Sequence, residues 1–321
     1  MFNRILVPLD RSALAECVLP HAVTLARVLD APLSLLHVLS GADEPDRLRA
    51  IDPLEWQLRR AEAESYLQGV CERLQAAGVE CEAAVNSGDA AELIVDFAHK
   101  QDAGLVIMSS HGRSGLSGWN VSSVVQKVIM RSHASLMIVR AYEMGASDLL
   151  EMQYQRILVP LDSSARAETV LPLATILARM PDTQILLAHV VQRPPLPRRT
   201  PPSQEELELV DRIVERNRTE AENYLEAIRA QLPAETVETR LLVSNQVAST
   251  LHELVAQEGI ELALLSAHGY SGETRWPHGS LVASFVAFGS CSLLIFQDAP
   301  GEQSVLTQAE AAVRNYESRQ A

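Results

Sequence analysis

The sequence lacks long apolar runs and has little basic charge. No uncharged apolar stretch approaches the roughly 18 residues that a membrane-spanning helix needs. The opening residues, MFNRILVPLD, place Arg4 and Asp10 too early for the apolar centre of a signal peptide. The formal net charge is −14, which disfavours binding to nucleic acid and to anionic membrane surfaces. We therefore expect a cytoplasmic protein with neither kind of partner.

Cysteine is scarce, and its spacing indicates no metal site. The four cysteines are Cys17, Cys71, Cys81 and Cys291, and no two of them form a CxxC pair. Cys17 and Cys291 lie in apolar segments, where a small buried hydrophobe is expected rather than a disulfide or a metal ligand. This usage suits a reducing cytosol.

Several common catalytic and nucleotide-binding motifs are also missing. The chain contains no GxxxxGK[ST], HExxH or GxSxG, and Gly112, Gly115 and Gly118 are spaced too regularly for GxGxxG. His111 and His268 each precede a glycine, and we interpret them as turn-ordering residues rather than metal ligands. No catalytic residue is assigned.

The chain does contain a long internal repeat. ILVPLD occurs at 5–10 and again at 157–162, so that Asp10 matches Asp162 at an offset of 152 residues. SSHGRSG at 109–115 matches SAHGYSG at 266–272. A period this long indicates duplicated domains rather than a solenoid. We predict repeat 1 over 1–141, repeat 2 over 155–298 and a C-terminal tail over 299–321, with a short linker at about 141–154.

Each repeat alternates short apolar runs with amphipathic stretches. RILVPL and GLVIMSS have the pattern of strands buried on both faces, and residues 12–30 have helical spacing after a serine N-cap. Alternating strands and helices predict an α/β fold with a parallel sheet in each repeat. The proline-rich segment 193–203 is expected to be a stiff connector, with a lid or docking segment as the alternative.

Two aspartates occupy the carboxyl ends of the first strands. Asp10 and Asp162 follow these strands directly, and parallel sheets bind ligands at this edge. One interpretation is that the aspartate orders the turn or caps the next helix. The other is that it accepts a hydrogen bond from an amino or hydroxyl group of a nucleoside. His37 and His189, at the ends of the second strands, are expected to be packed or hydrogen-bonded there.

The loop after the fourth strand of repeat 2 has the parts of a phosphate site. Gly269 leaves the strand, nine residues follow, and Gly279 and Ser280 open a helix. Glycine permits close backbone approach, and a helix N-terminus offers N–H groups to an anion. Arg275 is a candidate phosphate partner. The alternative is an ordinary loop that ends at a capped helix.

These elements resemble the universal stress protein family in its tandem, two-domain form. The resemblance covers about 4–140 and 156–297 and depends on ILVPLD, the HV after the second strand, the HG turn and the Gly-Ser helix start. It implies two tandem five-stranded parallel-sheet domains of the adenine nucleotide alpha hydrolase-like, Rossmann-like class, related by a pseudo-two-fold axis. It also implies pairing of the repeats through their last strands, SLMIVR and SLLIFQ. A further homodimer is left open.

The family's nucleotide pattern, G-x2-G-x9-G-[ST], matches repeat 2 with one replacement. The resemblance implies that Asp162 contacts the adenosine and that the backbone of Val190 meets the adenine. The nucleotide-binding residues implied for repeat 2 are Pro160, Asp162, Val190, Leu265, Ser266, Gly269, Gly279, Ser280 and Leu281.

Repeat 1 matches the same pattern less well, because serine replaces two of its three glycines. Its weaker equivalents are Asp10, Val38, Ser109, Gly112, Ser122 and Ser123. Ser122 would add a Cβ where backbone must approach phosphate, and it would lose the positive-φ freedom of glycine.

We therefore expect an ATP-binding stress-response regulatory protein that holds nucleotide mainly in repeat 2, with Mg²⁺ accompanying the phosphates. Hydrolysis, if any, would be slow. The first alternative is a scaffold or a protein that binds another small molecule or a lipid. The second is a true ATPase, which needs a base, nucleophile or metal carboxylate at the γ-phosphate.

Overall fold

The computed structural model describes residues 2–39, 53–112, 121–141, 153–196, 201–233, 236–269 and 278–297. The tail 299–321, most of the linker, and Arg275 with most of its nine-residue stretch lie outside these residues. Contacts divide the chain into two units. The first unit combines Met1–Gln153 with Val286–Gln297, and the second contains Tyr154–Glu273 and His278–Phe285.

Strands and helices alternate throughout repeat 1. Its elements in chain order are β1 (Ile5–Pro8), α1 (Ala13–Glu16), α2 (Val18–Leu29), β2 (Leu33–Leu39), α3 (Pro53–Ala76), β3 (Cys81–Ser87), α4 (Ala90–Lys100), β4 (Leu105–Ser109), α5 (Ser123–Arg131) and β5 (Ser135–Val139).

Repeat 2 follows the same order. Its elements are β6 (Arg156–Pro160), α6 (Ala165–Glu168), α7 (Leu171–Leu177), β7 (Gln184–Val191), α8 (Gln204–Arg229), β8 (Val237–Val243), α9 (Val247–Glu258), β9 (Leu262–Ser266), α10 (Ser280–Phe288) and β10 (Ser292–Phe296).

The strands of the two repeats form mostly parallel sheets. In the first unit the strand order is β3-β2-β1-β4-β5-β10, and in the second it is β9-β6-β7-β8. Every pair within a repeat whose register is described is parallel, for example Ile5 with Leu33 and Ile157 with Ile185. The α/β fold with parallel sheets is confirmed. In both units the first strand of the repeat has its second strand on one side and its fourth on the other, so the strand order reverses beside it.

The predicted helix at 12–30 is interrupted. Helix α1 ends at Glu16 and α2 begins at Val18, while in repeat 2 α6 ends at Glu168 and α7 begins at Leu171. The cause is proline, which lacks an N–H and whose ring crowds the carbonyl four residues earlier. Pro20 and Pro172 stand four residues after those two glutamates, so neither helix can continue with regular hydrogen bonding.

Two of the four cysteines are paired, and the sequence analysis did not predict this pair. A disulfide joins Cys71 on α3 to Cys81 on β3, with 5.5 Å between their Cα atoms. Spacing alone did not indicate this pair, because the residues meet only once α3 docks on the sheet. Cys17 and Cys291 are buried and are not part of this disulfide, as predicted.

The last strand of the chain belongs to the first unit. Strand β10 pairs antiparallel with β5, so that Leu294 lies opposite Met137. The fully buried Arg140 follows β5, and its Nε donates to the carbonyl of Cys291 at 3.2 Å. A buried guanidinium requires such acceptors to offset its desolvation. Among the described residues, no helix is long and apolar enough to cross a membrane.

His21 on α2 generates a prediction about pH. Burial lowers the pKa of this imidazole from 6.5 to about 4. Because the unfolded chain takes up the proton first, stability is fully present above pH 6.5 and falls as the pH drops towards 4. Leu173 occupies the matched position of repeat 2. We expect wild type to lose about 2–3 kcal/mol more unfolding free energy than His21→Leu between pH 7 and 4.5.

Urea unfolding of both proteins at the two pH values measures this difference. An equal loss in wild type and variant would show that His21 does not govern the acid sensitivity of the first unit.

Candidate functional site

The candidate site of each repeat lies where the strand order reverses. Strands β1 and β4 end side by side in the first unit, as β6 and β9 do in the second. The chain from one strand then leaves towards one face of the sheet and the chain from the other towards the opposite face, which opens a crevice. Asp10 and Gly112 flank the first crevice, and Asp162 and Gly269 flank the second.

The aspartates order the turns they begin. Oδ1 of Asp10 accepts hydrogen bonds from the Ser12 N–H at 3.0 Å and the Ser12 hydroxyl at 2.6 Å. Oδ1 of Asp162 accepts from Ser164 at 3.1 and 2.6 Å in the same way. The residue between them has positive φ, 69° at Arg11 and 65° at Ser163. The structural role predicted for these aspartates is therefore present.

The second carboxylate oxygen packs against the glycine that follows the fourth strand. A Cβ on Gly112 would overlap Oδ2 of Asp10 and approach its Cγ to 3.0 Å. A Cβ on Gly269 would overlap Oδ2 of Asp162 in the same manner. Glycine is needed at both positions because the carboxylate occupies the space that a side chain would fill. Turn and loop are thus brought together at the edge where each sequence motif predicted a ligand.

The histidines near the ends of the second strands lie close to the same turns. Nδ1 of His37 lies 2.7 Å from the carbonyl of Leu9, the residue before Asp10. Burial lowers the pKa of His189, opposed by the Leu161 carbonyl and the Asp162 carboxylate. Its Nδ1 nevertheless has no partner with hydrogen-bond geometry among the described residues. Val38 and Val190 follow these histidines and are half-buried.

The serines that replace the first glycine of the motif point inward. Ser109 donates to the carbonyl of His111 at 2.6 Å and contacts the thiol of Cys17. The Ser266 hydroxyl lies 3.3 Å from that of Thr169. Both serine side chains therefore hold the strand end against the first helical segment. Pro160 and Leu265 are buried and line the strand ends beneath the crevice.

The helix starts differ between the repeats. Ser122 is the N-cap of α5, and its hydroxyl accepts a hydrogen bond from the N–H of Val125 at 3.4 Å. Gly279 occupies the matched position before α10 and has no side chain to offer. Within the described part of the chain, no acceptor is found for the N–H groups of Ser280, Leu281 and Val282. Ser280 is exposed, as is Ser123 at the start of α5.

One part of the sequence argument about this position is wrong. Ser122 has φ of −69°, and Gly279 is not among the described glycines with positive φ. A serine therefore loses no backbone freedom here. The Gly279 amide also donates to the Ala267 carbonyl at 2.7 Å, as the Ser122 amide does to Ser110 at 2.8 Å. The difference between the repeats lies in the N-cap side chain.

Sequence reasoning missed a carboxylate that ties the first short helix to the long one. In repeat 1, Glu16 at the end of α1 accepts from the Tyr66 hydroxyl and from Arg73, both at 2.9 Å. In repeat 2, burial and then Glu168 raise the pKa of Tyr224, whose ring edge contacts His189. The signal was present as the matched sequences AESYL and AENYL, which periodicity interprets only as helix surface.

Fold and site together define a tandem α/β protein with the same strand-end site built twice. A model of the universal stress protein family matches residues 1–140 and again 153–297. The chain belongs to the universal stress protein family, and it carries two copies of the family's domain.

Similar proteins support this assignment. Universal stress protein YxiE of Bacillus subtilis is 31% identical over 151 residues, which cover 44% of this chain and all of that protein. A universal stress protein of Synechocystis is 30% identical over 43% of this chain and 98% of its own length. The solved universal stress protein of Archaeoglobus fulgidus has a TM-score of 0.65 at 16% identity, covering 92% of this chain and 99% of that one. The last likeness shows the fold alone.

The packing of glycine against carboxylate predicts unequal effects of alanine. In Gly269→Ala the new methyl displaces the Asp162 carboxylate, and we expect a loss of about 1–3 kcal/mol in unfolding free energy. In Gly279→Ala the methyl meets only the Ala267 carbonyl oxygen at 3.5 Å and the His268 Cα at 3.9 Å, so the variant should keep wild-type stability. Denaturant unfolding measures both, and equal stabilities would contradict the packing argument.

Proposed function

We propose that this chain is a cytoplasmic stress-response regulatory protein that binds an adenine nucleotide, ATP, mainly in repeat 2. The ligand class follows from the family resemblance of the motif at 266–280. The geometry at the strand ends of repeat 2 supports this proposal.

The observation that carries the proposal is the start of α10. Three consecutive N–H groups, of Ser280, Leu281 and Val282, have no acceptor among the described residues. They stand at the positive end of a nine-residue helix, which favours phosphate. The Gly279 amide holds this helix start on Ala267, two residues before Gly269, which in turn packs on Asp162. The predicted phosphate and adenosine ends of the site are therefore adjacent along the same strand ends.

The candidate residues of repeat 2 would contact different parts of the nucleotide. Asp162 is exposed, and its carboxylate would accept a hydrogen bond from a ribose hydroxyl. The backbone of Val190 would meet the adenine, while Pro160 and Leu265 shape the floor. The Ser280 hydroxyl and the N–H groups of α10 would bind phosphate oxygens, and Mg²⁺ would bind the remaining ones.

Repeat 1 keeps the adenosine end and differs at the phosphate end. Asp10 orders its turn and packs against Gly112 in the same way as its counterpart in repeat 2. The Nδ1 of His37 also lies within hydrogen-bond distance of a backbone carbonyl. The Ser122 hydroxyl, however, already takes the Val125 N–H. One lost charge-assisted amide–phosphate contact is worth roughly 1.5–3 kcal/mol, which is about ten- to a hundred-fold in affinity.

The proposed role is binding, with hydrolysis slow at most. Nucleotide analysis of protein denatured directly after purification separates the alternatives. Co-purified ATP supports regulated binding, an ADP-rich mixture with turnover supports an ATPase, and protein without nucleotide supports a scaffold or a site for another ligand.

We predict one tightly bound Mg-ATP per chain. Calorimetric titration of nucleotide-stripped wild type should give one equivalent, and Gly279→Val should lose about ten- to a hundred-fold in affinity because its branched side chain covers the first N–H groups of α10. Ser122→Gly is the matched variant, since it gives repeat 1 the helix start of repeat 2, and it should gain a second equivalent. Two equivalents of similar affinity in wild type would contradict the asymmetry.

We also infer that the two repeats pair within one chain through their last strands. The support is the antiparallel register of β10 on β5, in which Leu293, Leu294 and Ile295 face Ile138, Met137 and Leu136. The Gln297 N–H adds a hydrogen bond of 3.0 Å to the Ser135 hydroxyl. Without β10, the apolar strand β5 would be an exposed edge, which invites association.

This pairing predicts that the separated repeats associate. Residues 1–141 and 155–298, expressed apart, should self-associate or aggregate, and mixing them should restore a one-to-one complex. Size-exclusion chromatography with light scattering measures the masses. Two soluble, monomeric halves would contradict the inference.

A further inference from the structure

We propose that Cys71 and Cys81 form a reversible thiol–disulfide modification site, and that its oxidation fixes the Asp10 turn of repeat 1 through helix α3. This inference does not depend on nucleotide binding.

The two cysteines join the end of a helix to the edge of a sheet. Cys71 lies in the last two turns of α3, and Cys81 is the first residue of β3, the edge strand of the first unit. Both are buried, with 3% and 7% of their surfaces exposed. Only ten positions separate them, and the chain between them turns at Gly78, whose φ is 77°. The bond therefore restrains the C-terminal half of α3 against β3.

That half of α3 holds the first short helix. Arg73, two residues after Cys71, donates to Oε2 of Glu16 at 2.9 Å, and the Tyr66 hydroxyl donates to Oε1 at 2.9 Å. Burial and then Glu16 raise the pKa of Tyr66, so the phenol keeps its proton and acts as donor. Glu16 is thus fixed by two side chains that flank Cys71.

Helix α1 carries the restraint to the candidate site. Glu16 ends α1, and Ser12 caps its start by accepting from the Ala15 N–H at 3.1 Å. The same Ser12 hydroxyl donates to Asp10 at 2.6 Å. A second connection runs directly from the turn to α3, because Arg11 lies 3.2 Å from Glu62. A series of side-chain contacts therefore links the part of α3 that carries Cys71 to the Asp10 carboxylate.

Repeat 2 differs from repeat 1 at several of these contacts. Ser163 replaces Arg11, and Gln231 replaces Arg73 when Tyr224 is matched to Tyr66. Gln231 donates instead to the Ala227 carbonyl. The Tyr224 hydroxyl has no partner with hydrogen-bond geometry in the described part of the chain, although Glu168 is near enough to raise its pKa. The Asp162 turn therefore serves as an internal reference that redox chemistry should not affect.

The oxidant is a small disulfide of the glutathione type. One cysteine thiolate attacks a sulfur of the small disulfide, forms a mixed disulfide and releases one small thiol. The second cysteine, deprotonated, attacks the protein sulfur of that mixed disulfide, forms the Cys71–Cys81 bond and releases the second small thiol. Two electrons pass from the cysteines to the small disulfide, and the two protons leave on the released thiols.

The cytoplasmic location, which rests on the proposed function, favours a reversible bond over a permanent one. Disulfides in a reducing compartment are typically transient and redox-sensing. The buried sulfurs need a local opening to react, and an edge strand with a short turn is where opening costs least. Reduction removes a short closed loop, which should raise the rate of local opening about ten- to a hundred-fold.

Hydrogen exchange on the full-length protein tests the proposal. The protein is equilibrated with oxidised glutathione or with dithiothreitol, and free thiols are counted by alkylation after unfolding. We expect two free thiols in the oxidised sample and four after reduction. We also expect reduction to speed exchange of amides in 66–76 and 10–16 about ten- to a hundred-fold, with 162–168 unchanged.

Two sets of variants locate the effect. Cys71→Ala with Cys81→Ala should exchange at one rate under both conditions. The second is a triple variant, Arg11→Ser with Arg73→Gln and Tyr66→Phe. It removes the side-chain contacts that join α3 to Glu16 and to the Asp10 turn. It should keep the redox response at 66–76 and lose it at 10–16.

Either of two results would overturn the proposal. Four free thiols in the oxidised wild type would show that the cysteines do not react with a small disulfide. Unchanged exchange at 10–16 on reduction of wild type would show that the bond does not reach the Asp10 turn.

Discussion

The candidate sites depend on a carboxylate packed against a glycine Cα at the point where strand order reverses. Oδ1 of Asp10 and of Asp162 is fully engaged by the serine two residues later, which fixes the carboxylate plane. Oδ2 is then directed at Gly112 or Gly269, where no side chain fits. The topology brings the strand ends together, and this contact sets the separation between the loops that leave them. Both repeats preserve it although their helix starts have diverged.

The two repeats differ in the groups that surround this contact. Repeat 1 surrounds its aspartate with side-chain restraints: Arg11 on Glu62, Tyr66 and Arg73 on Glu16, and a serine cap on α5. In repeat 2, Ser163 stands in place of Arg11, Gln231 stands in place of Arg73, and Gly279 precedes α10 without a capping side chain. At these positions repeat 1 uses side-chain contacts that the described residues of repeat 2 do not share.

Sequence alone predicted what local pattern and topology determine. Buried strands alternating with helices imply parallel sheets, and parallel sheets place Asp162 and Gly269 at one edge. The break at Glu16 was also encoded, in Pro20, but helical periodicity concealed it. The Tyr66–Glu16 contact and the Cys71–Cys81 bond were not predictable in this way. They depend on how α3 docks on the sheet, and residues 10 or 50 positions apart carry no shared periodic signal.

The difference between the two helix starts was also not predictable from the sequence. The replacement of Gly279 by Ser122 suggested lost backbone freedom, yet both positions have ordinary φ, and the deciding group is the Ser122 hydroxyl on Val125. A cap is worth about 1 kcal/mol to its helix. The serine thus stabilises α5 and accepts a hydrogen bond from the Val125 amide.

The covalent joining of two such sites has a genetic consequence. When identical single-domain subunits associate, one codon specifies the same residue in both crevices. A substitution that alters one crevice therefore alters the other as well. Duplication into one reading frame removes that coupling. Ser122 and Gly279 could then be selected separately, and a tandem chain can divide labour in a way that a symmetric pair cannot inherit.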